Sequence, residues 1–256
     1  MEAVTLLHGF TLGGASWDDL VARMPADWQW IAPDLRGHGK APPDDCTMER
    51  CAADLAELWD HLGIERSHLV GYSMGGRLAL HVAVRLPERT RSLLTIGAHA
   101  GLEGEMRVAR RASDALLASR VERDGVPAFV DYWEALPMFA GLARQPALAA
   151  ALHEIRLANT TAGLAASLRD MGAAAMEPLW DELDEIDVPS TFVAGAEDGG
   201  FVEHARRLAR SVRDSRVEVV GGSGHSVQFE QPDAAAVVIA GHLRWATTSD
   251  SSTTTH

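Results

Sequence analysis

The segment Gly71-Tyr72-Ser73-Met74-Gly75 has the residue types and spacing of a nucleophile elbow, a tight turn that presents a reactive serine. An apolar run precedes it and a helix-compatible run follows, so the motif lies in the strand–turn–helix setting that it requires. Glycines flank the serine because a Cβ there would collide with the neighbouring strand or helix. Ser73 is therefore a candidate nucleophile at a helix N-terminus, where developing negative charge is favoured. The alternative is an ordinary serine in a glycine-rich turn.

Two candidate partners for Ser73 occur later in the chain, each after an apolar run that predicts a strand. Asp198 would orient the imidazole of His225, and His225 would accept the proton of Ser73. The order serine, acid, histidine is the one that a nucleophile elbow requires of its triad. Glu197 is an alternative acid, in which case Asp198 would only cap the next helix. The alternative for His225 is a loop histidine with a structural hydrogen bond.

A third part of such a site is a pair of backbone N–H groups that bind an oxyanion. The apolar run of residues 3–7 predicts a strand, and a glycine-containing loop beginning His8-Gly9-Phe10 follows it. We expect the N–H groups of Phe10 and Met74 to form this oxyanion hole. His8 could also be considered as the catalytic base. Its position before the nucleophile favours a structural role, in which it braces the loop by hydrogen bonds.

The order of strand and helix signals predicts an α/β protein with a mostly parallel central sheet and an inserted helical segment. Residues 1–100 and 181–246 carry the alternating signals and form the predicted core. Residues 101–180 favour helices alone, and we expect them to form a lid that covers Ser73. Residues 247–256 are rich in serine and threonine and predict a disordered tail.

The composition restricts the function further. The chain has 256 residues and a formal net charge of −13, which disfavours binding to nucleic acid or to an anionic membrane. No apolar run is long enough to span a membrane, and the N-terminus does not resemble a signal peptide. Cys46 and Cys51 define neither a disulfide framework nor a metal motif. We therefore expect one cytoplasmic enzyme domain that acts on a small molecule without a metal or cofactor; its oligomeric state is open.

Arginines near the predicted pocket indicate the charge of that molecule. Arg77 lies in the first turn of the helix after Ser73, where a cation opposes the helix dipole unless an anion is near. Arg110 and Arg156 belong to separate predicted lid helices. Guanidinium groups bind carboxylates in bidentate geometry, so these arginines favour an anionic substrate. Each could instead be a solvated surface charge or part of a salt bridge.

Taken together, these motifs resemble the α/β-hydrolase superfamily over nearly the whole chain. The segment Asp34-Leu35-Arg36-Gly37-His38-Gly39 adds to the resemblance, because it looks like the loop after an early strand of that fold. Its glycines would form a tight turn, and the Asp34 carboxylate would accept backbone hydrogen bonds.

Within the superfamily, the elbow with Arg77 resembles that of the 2-succinyl-6-hydroxy-2,4-cyclohexadiene-1-carboxylate synthase family of the menaquinone pathway. Three lid segments are also similar to that family: Arg110-Arg111-Ala112-Ser113-Asp114, Trp133 with Pro137-Met138-Phe139-Ala140, and Arg156-Leu157-Ala158-Asn159. The resemblance implies substrate contacts at Tyr72, Arg77, Arg110, Trp133 and Arg156. Gln228 and Gly199 depart from the pattern, since relatives often carry histidine and lysine there.

The chemistry that the resemblance implies is the loss of pyruvate from an enolpyruvyl cyclohexene carboxylate. Ser73, polarised by His225, would remove a proton next to a ketone, and the oxyanion hole would stabilise the enolate. No covalent intermediate and no water would be needed. A carboxylesterase-like hydrolase and a non-catalytic binding module are the alternatives. Arginines in the lid favour the lyase over the esterase, and the complete triad disfavours the binding module.

Overall fold

A computed structural model of the protein describes the backbone of residues 1–253 and the side chains of residues 1–248. Six strands form one sheet in the order β2-β1-β3-β4-β5-β6, and each neighbouring pair in the described residues is parallel. The strands are β1 (Glu2–Leu7), β2 (Trp28–Ile31), β3 (Ser67–Tyr72), β4 (Thr90–Ile96), β5 (Ser190–Gly195) and β6 (Ser215–Val220). The predicted α/β fold with a parallel sheet is confirmed.

Helices cover both faces of this sheet. They are α1 (Asp18–Val21), α2 (Met48–Leu62), α3 (Met74–Arg85), α4 (Gly104–Glu134), α5 (Pro146–Leu157), α6 (Thr161–Asp170), α7 (Gly199–Ser211), α8 (Val227–Glu230) and α9 (Pro232–Thr253). Successive side chains of a strand point to opposite faces, so Leu69 joins one core and Val70 the other. The first core includes residues of α2, α3 and α7, and the second includes residues of α1 and α9. The central strands β3 and β5 are buried along their whole length, as expected of parallel strands with helices on both faces.

The chain between β4 and β5 contains α4, α5, α6 and a 3-10 segment at Pro137–Arg144. Helix α4 is interrupted at Gly125, whose φ of 76° is left-handed, two residues before Pro127. Proline is tolerated in the first turn of a helix, so a second helical stretch can begin after this break. Hydrogen bonds tie the two ends of the insertion together: the Leu179 N–H donates to the Ala100 carbonyl at 2.7 Å. In the described part of the chain, no helix has the length and apolar composition required to cross a membrane.

The segment predicted to form a disordered tail is residues 247–256. Helix α9 continues to Thr253. Thr247 Oγ1 donates to the Leu243 carbonyl at 3.0 Å and also to Glu2 Oε2 at 3.0 Å. A threonine hydroxyl can bond the carbonyl four residues earlier in a helix, so a polar composition does not by itself end the helix. The rest of that prediction, for residues 254–256, lies outside the described residues.

Candidate active site

The site is built around the turn from β3 to α3. Ser73 lies between the last residue of the strand and the first residue of the helix, with φ of 52° and ψ of −107°. A positive φ is unfavourable for a residue with a Cβ, so this backbone is strained. A Cβ on Gly71 would overlap the backbone of Gly75, and a Cβ on Gly75 would overlap that of Leu7. Both glycines are therefore required by close approach of the backbone.

Ser73, His225 and Asp198 form a continuous chain of hydrogen bonds. Ser73 Oγ lies 3.0 Å from His225 Nε2, and His225 Nδ1 lies 3.0 Å from Asp198 Oδ2. An ionised carboxylate can only accept, so Nδ1 carries the imidazole proton and Nε2 can accept that of the serine. Glu197 points elsewhere, since its Oε2 lies 3.1 Å from Arg144 Nη2. The structure thus places Asp198, and not Glu197, on the imidazole.

The two backbone groups predicted for the oxyanion hole lie beside Ser73. Phe10 and Met74 both line the cavity above the serine. Within the residues that the structure describes, neither backbone N–H has a protein acceptor. His8 braces this loop, since its Nε2 accepts from the Leu35 N–H at 2.9 Å and its Nδ1 bonds the Gly9 carbonyl at 2.9 Å. Burial lowers the pKa of His8 to about 4, so it stays neutral in this structural position.

A cavity of about 330 Å³ lies over Ser73 and His225. Its walls come from the core and from the segments between β4 and β5, including Arg110 and Trp133. Trp133 is 9% exposed, and its indole N–H has no protein acceptor in the described residues. Buried indole N–H groups normally find a partner, so this donor is available to a bound ligand.

Arg77 brings a buried positive charge to the wall of the cavity. Its guanidinium is buried and donates to the Met171 carbonyl at 2.9 Å and the Gly172 carbonyl at 3.3 Å. Among the described residues it forms no ion pair. Burial, with a smaller contribution from the nearby Arg110, lowers the pKa of Arg77 to about 10. Arg110 also lines the cavity, but its Nε lies 2.7 Å from Asp114 Oδ1.

Two of the residues expected to contact substrate, Tyr72 and Arg156, do not line this cavity. The buried Tyr72 hydroxyl bonds Ser226 Oγ at 2.7 Å, and burial raises its pKa above the usual range. Arg156 is 2% exposed and its Nη1 lies 2.9 Å from Glu134 Oε1. For Arg110 and Arg156 the structure therefore shows the salt bridge that the sequence left open as an alternative. Of these three arginines, Arg77 alone lines the cavity without an ion pair in the described residues.

Several residues that line the cavity were not anticipated from the sequence, and His99 is the histidine among them. His99 follows β4, lines the cavity and accepts the Gly101 N–H on Nδ1 at 3.0 Å. Burial, and next the neighbouring Arg77, holds the pKa of His99 well below its usual value, so the ring is a neutral donor through Nε2. The signal that could have identified it is its position at the carboxyl end of a parallel strand. Gln228 and Gly199, the two departures from the family pattern, do not line the cavity.

Comparison with known proteins agrees with this architecture. The sequence profile of a family described as alpha/beta hydrolase fold matches residues 2–232. A protein of Enterobacter sp. (strain 638) named 2-succinyl-6-hydroxy-2,4-cyclohexadiene-1-carboxylate synthase is 32% identical over 243 residues, covering 94% of this chain and 91% of its own length. A Bacillus subtilis (strain 168) protein that carries the same name in provisional form is 39% identical over 238 residues, with coverages of 90% and 86%. The solved structure of MenH from S. aureus superposes with a TM-score of 0.91 at 28% identity, over 96% of this chain and 94% of that one.

The fold and the elbow define the class of this protein: the chain belongs to the α/β-hydrolase fold family. Within that class it groups with the relatives named 2-succinyl-6-hydroxy-2,4-cyclohexadiene-1-carboxylate synthase, which it matches over most of both chains.

Proposed function

We propose that the protein eliminates pyruvate from an enolpyruvyl cyclohexene carboxylate and forms 2-succinyl-6-hydroxy-2,4-cyclohexadiene-1-carboxylate. The names of its relatives support this product. The observation that carries the proposal is Arg77, a buried guanidinium without an ion pair in the described residues, in the wall of a cavity over Ser73. A buried charge of this kind is costly unless an anion joins it, so the cavity favours a substrate with a carboxylate.

In the proposed reaction, Ser73 and His225 act together as the base. Ser73 Oγ takes a proton from the carbon next to the substrate ketone while His225 Nε2 takes the serine proton. The electron pair of the broken C–H bond enters the enolate, whose oxygen is bound by the N–H groups of Phe10 and Met74. The enolate then forms a C=C bond as the C–O bond to the enolpyruvyl group breaks. The departing enolate of pyruvate receives on its methylene carbon the proton held by the His225 imidazolium, which becomes neutral again, and pyruvate is released.

Asp198 supports this proton transfer by stabilising the imidazolium that forms and by keeping Nδ1 protonated. Arg77 and Arg110 bind substrate carboxylates, and His99 and Trp133 offer neutral donors on the same wall. We propose that residues 101–180 act as the lid that encloses these groups. The net charge of −13 and two free, buried cysteines support a cytoplasmic enzyme without a nucleic-acid or membrane partner.

The test is incubation of the purified protein with the enolpyruvyl substrate. Pyruvate is measured by coupling to lactate dehydrogenase, and the conjugated diene by its absorbance. We expect the two products in equal amounts, and we expect Ser73→Ala to lower kcat by about three orders of magnitude or more while the fold is kept. A parent protein that hydrolyses p-nitrophenyl esters rapidly and releases no pyruvate would assign the site to an esterase. A Ser73→Ala variant with near-parent turnover would remove the serine from the mechanism.

A further inference from the structure

A second carboxylate next to the catalytic loop has no part in the chemistry described above. Glu230, the last residue of α8, is 2% exposed. Its Oε2 accepts the Gly224 N–H at 2.9 Å, and its Oε1 accepts the Ser226 N–H at 3.1 Å. These are the residues immediately before and after His225, so a single carboxylate holds the backbone on both sides of the histidine.

Glu230 is a buried carboxylate whose desolvation must be offset by hydrogen bonds. Burial of a carboxylate is unfavourable unless hydrogen bonds replace its hydration, and here two backbone N–H groups supply them. Hydrogen bonds to an ionised acceptor are stronger than those between neutral groups. The pair of bonds therefore fixes where the His225 side chain begins and how its ring meets Ser73.

The segment between β4 and β5 reaches the same place. Gly141, in the 3-10 segment Pro137–Arg144, packs so closely on Glu230 that a Cβ there would overlap the carboxylate. Arg144, at the end of that segment, donates to the Gly222 carbonyl at 2.8 Å and pairs with Glu197 at 3.1 Å. The segment thus contacts both loops of the triad, the one that carries His225 and the one that carries the acid.

We propose that Glu230 is a positioning residue for His225. Residues 137–144 pack against Glu230, so that the proposed lid helps to keep His225 in hydrogen-bonding position between Ser73 and Asp198. This inference takes one point from the proposed function, namely that His225 is the base. When residues 137–144 are in place, Gly141 keeps the Glu230 carboxylate aimed at the two N–H groups. When they move away, the histidine loop loses that support.

The test uses Glu230→Gln and Glu230→Ala in the full-length protein. The glutamine keeps the shape but presents an NH2 group to one of the two N–H donors, so one hydrogen bond is lost and the other is kept. We expect kcat to fall about tenfold for the glutamine and further for the alanine, with KM changed less than about threefold. The ring nitrogens of His225, observed by ¹⁵N NMR, should report one tautomer in the parent and a mixture in the variants. Parent kcat and unchanged His225 signals in Glu230→Gln would overturn the proposal.

Gly141→Ala is the second variant, and it leaves Glu230 itself unchanged. Gly141→Ala should show the same selective loss of kcat, even if the Glu230 variants do not fold. A Gly141→Ala variant with the kcat of the parent would refute the role of residues 137–144. Gly241→Ala is the matched control, because a Cβ at Gly241 meets no atom within 4 Å. It should keep parent kcat.

A readout that does not need the lyase substrate separates the two proposals. Labelling of Ser73 by a fluorophosphonate, in which the serine displaces fluoride and its proton passes to His225, depends on the histidine geometry alone. Slower labelling in Glu230→Gln, together with no pyruvate release by the parent, would support the positioning role and refute the lyase. Equal labelling rates in the parent and Glu230→Gln would refute the positioning role, whatever the substrate.

Discussion

Arg110→Ala should damage the proposed elimination selectively, and the structure sets the size of the effect. A hydrogen bond to a charged group contributes about 1.5–3 kcal/mol. Arg110 is 43% exposed and its Nε is already bonded to Asp114, so solvent and a competing carboxylate both weaken its hold on substrate. The expected loss is therefore at the low end, about 1.5 kcal/mol, which is roughly tenfold in kcat/KM. The freed Asp114 would also be attracted to Arg77 and compete with the substrate there.

The assay measures kcat/KM for pyruvate release and, in parallel, for hydrolysis of a neutral p-nitrophenyl ester, which has no carboxylate to bind. Arg111→Ala is the matched control, because the Arg111 side chain donates to the Ala174 carbonyl and does not line the cavity. Arg110→Ala should lose about tenfold with the anionic substrate and little with the ester, and Arg111→Ala should lose little with either. Equal losses on both substrates would mean that Arg110 supports lid packing, and the anion-binding argument would fail.

Three further predictions concern the acid, a buried ion pair and pH. Asp198→Asn should lower kcat by roughly three to four orders of magnitude, because the asparagine would stabilise the wrong tautomer of the His225 imidazole. The kcat of Glu197→Gln should stay within about tenfold of the parent, and the reverse order of the two losses would identify Glu197 as the acid. Arg156→Ala should reduce the thermal midpoint and affect both substrates equally, because it removes the buried partner of Glu134 and leaves that carboxylate its His153 contact at 2.9 Å, so a loss confined to the anionic substrate would contradict its structural role. Burial lowers the pKa of His242 to about 3, below its unfolded value near 6.5, so the unfolded state binds the extra proton between those values and stability falls as pH falls through that window. The free energy of unfolding, measured by urea titration at pH values from 7 to 4, should fall less steeply with falling pH in His242→Gln, by up to about 1.4 kcal/mol per pH unit. An unchanged pH dependence would exclude this histidine as its cause.

Local patterns were sufficient for much of the fold. The apolar run before Asp198 predicted a strand, and the structure has that strand as β5, Ser190–Gly195. The triad was also predictable, since strand ends place Asp198 and His225 on one edge of the sheet. The ion pair of Arg156 was not predictable because its partner Glu134 belongs to another helix, and sequence spacing does not determine which long-range pair forms. Glu230 gave no signal, since its importance depends on a side chain folding back on the loop before it.

The hydrogen bond between the two ends of the inserted segment affects how easily that segment can be exchanged. Because Leu179 hydrogen-bonds Ala100, the chain leaves the sheet and returns to it at one place, and β4 and β5 remain paired neighbours. The entropic cost of a longer connection grows only slowly with its length, so insertions and exchanges between these anchors disturb the sheet little. The proposed lid is thus a segment that can be exchanged without altering the sheet that carries the triad. A chimaera that exchanges residues 101–178 for those of a relative should fold and inherit that relative's substrate preference, provided that the donor segment keeps a glycine against Glu230.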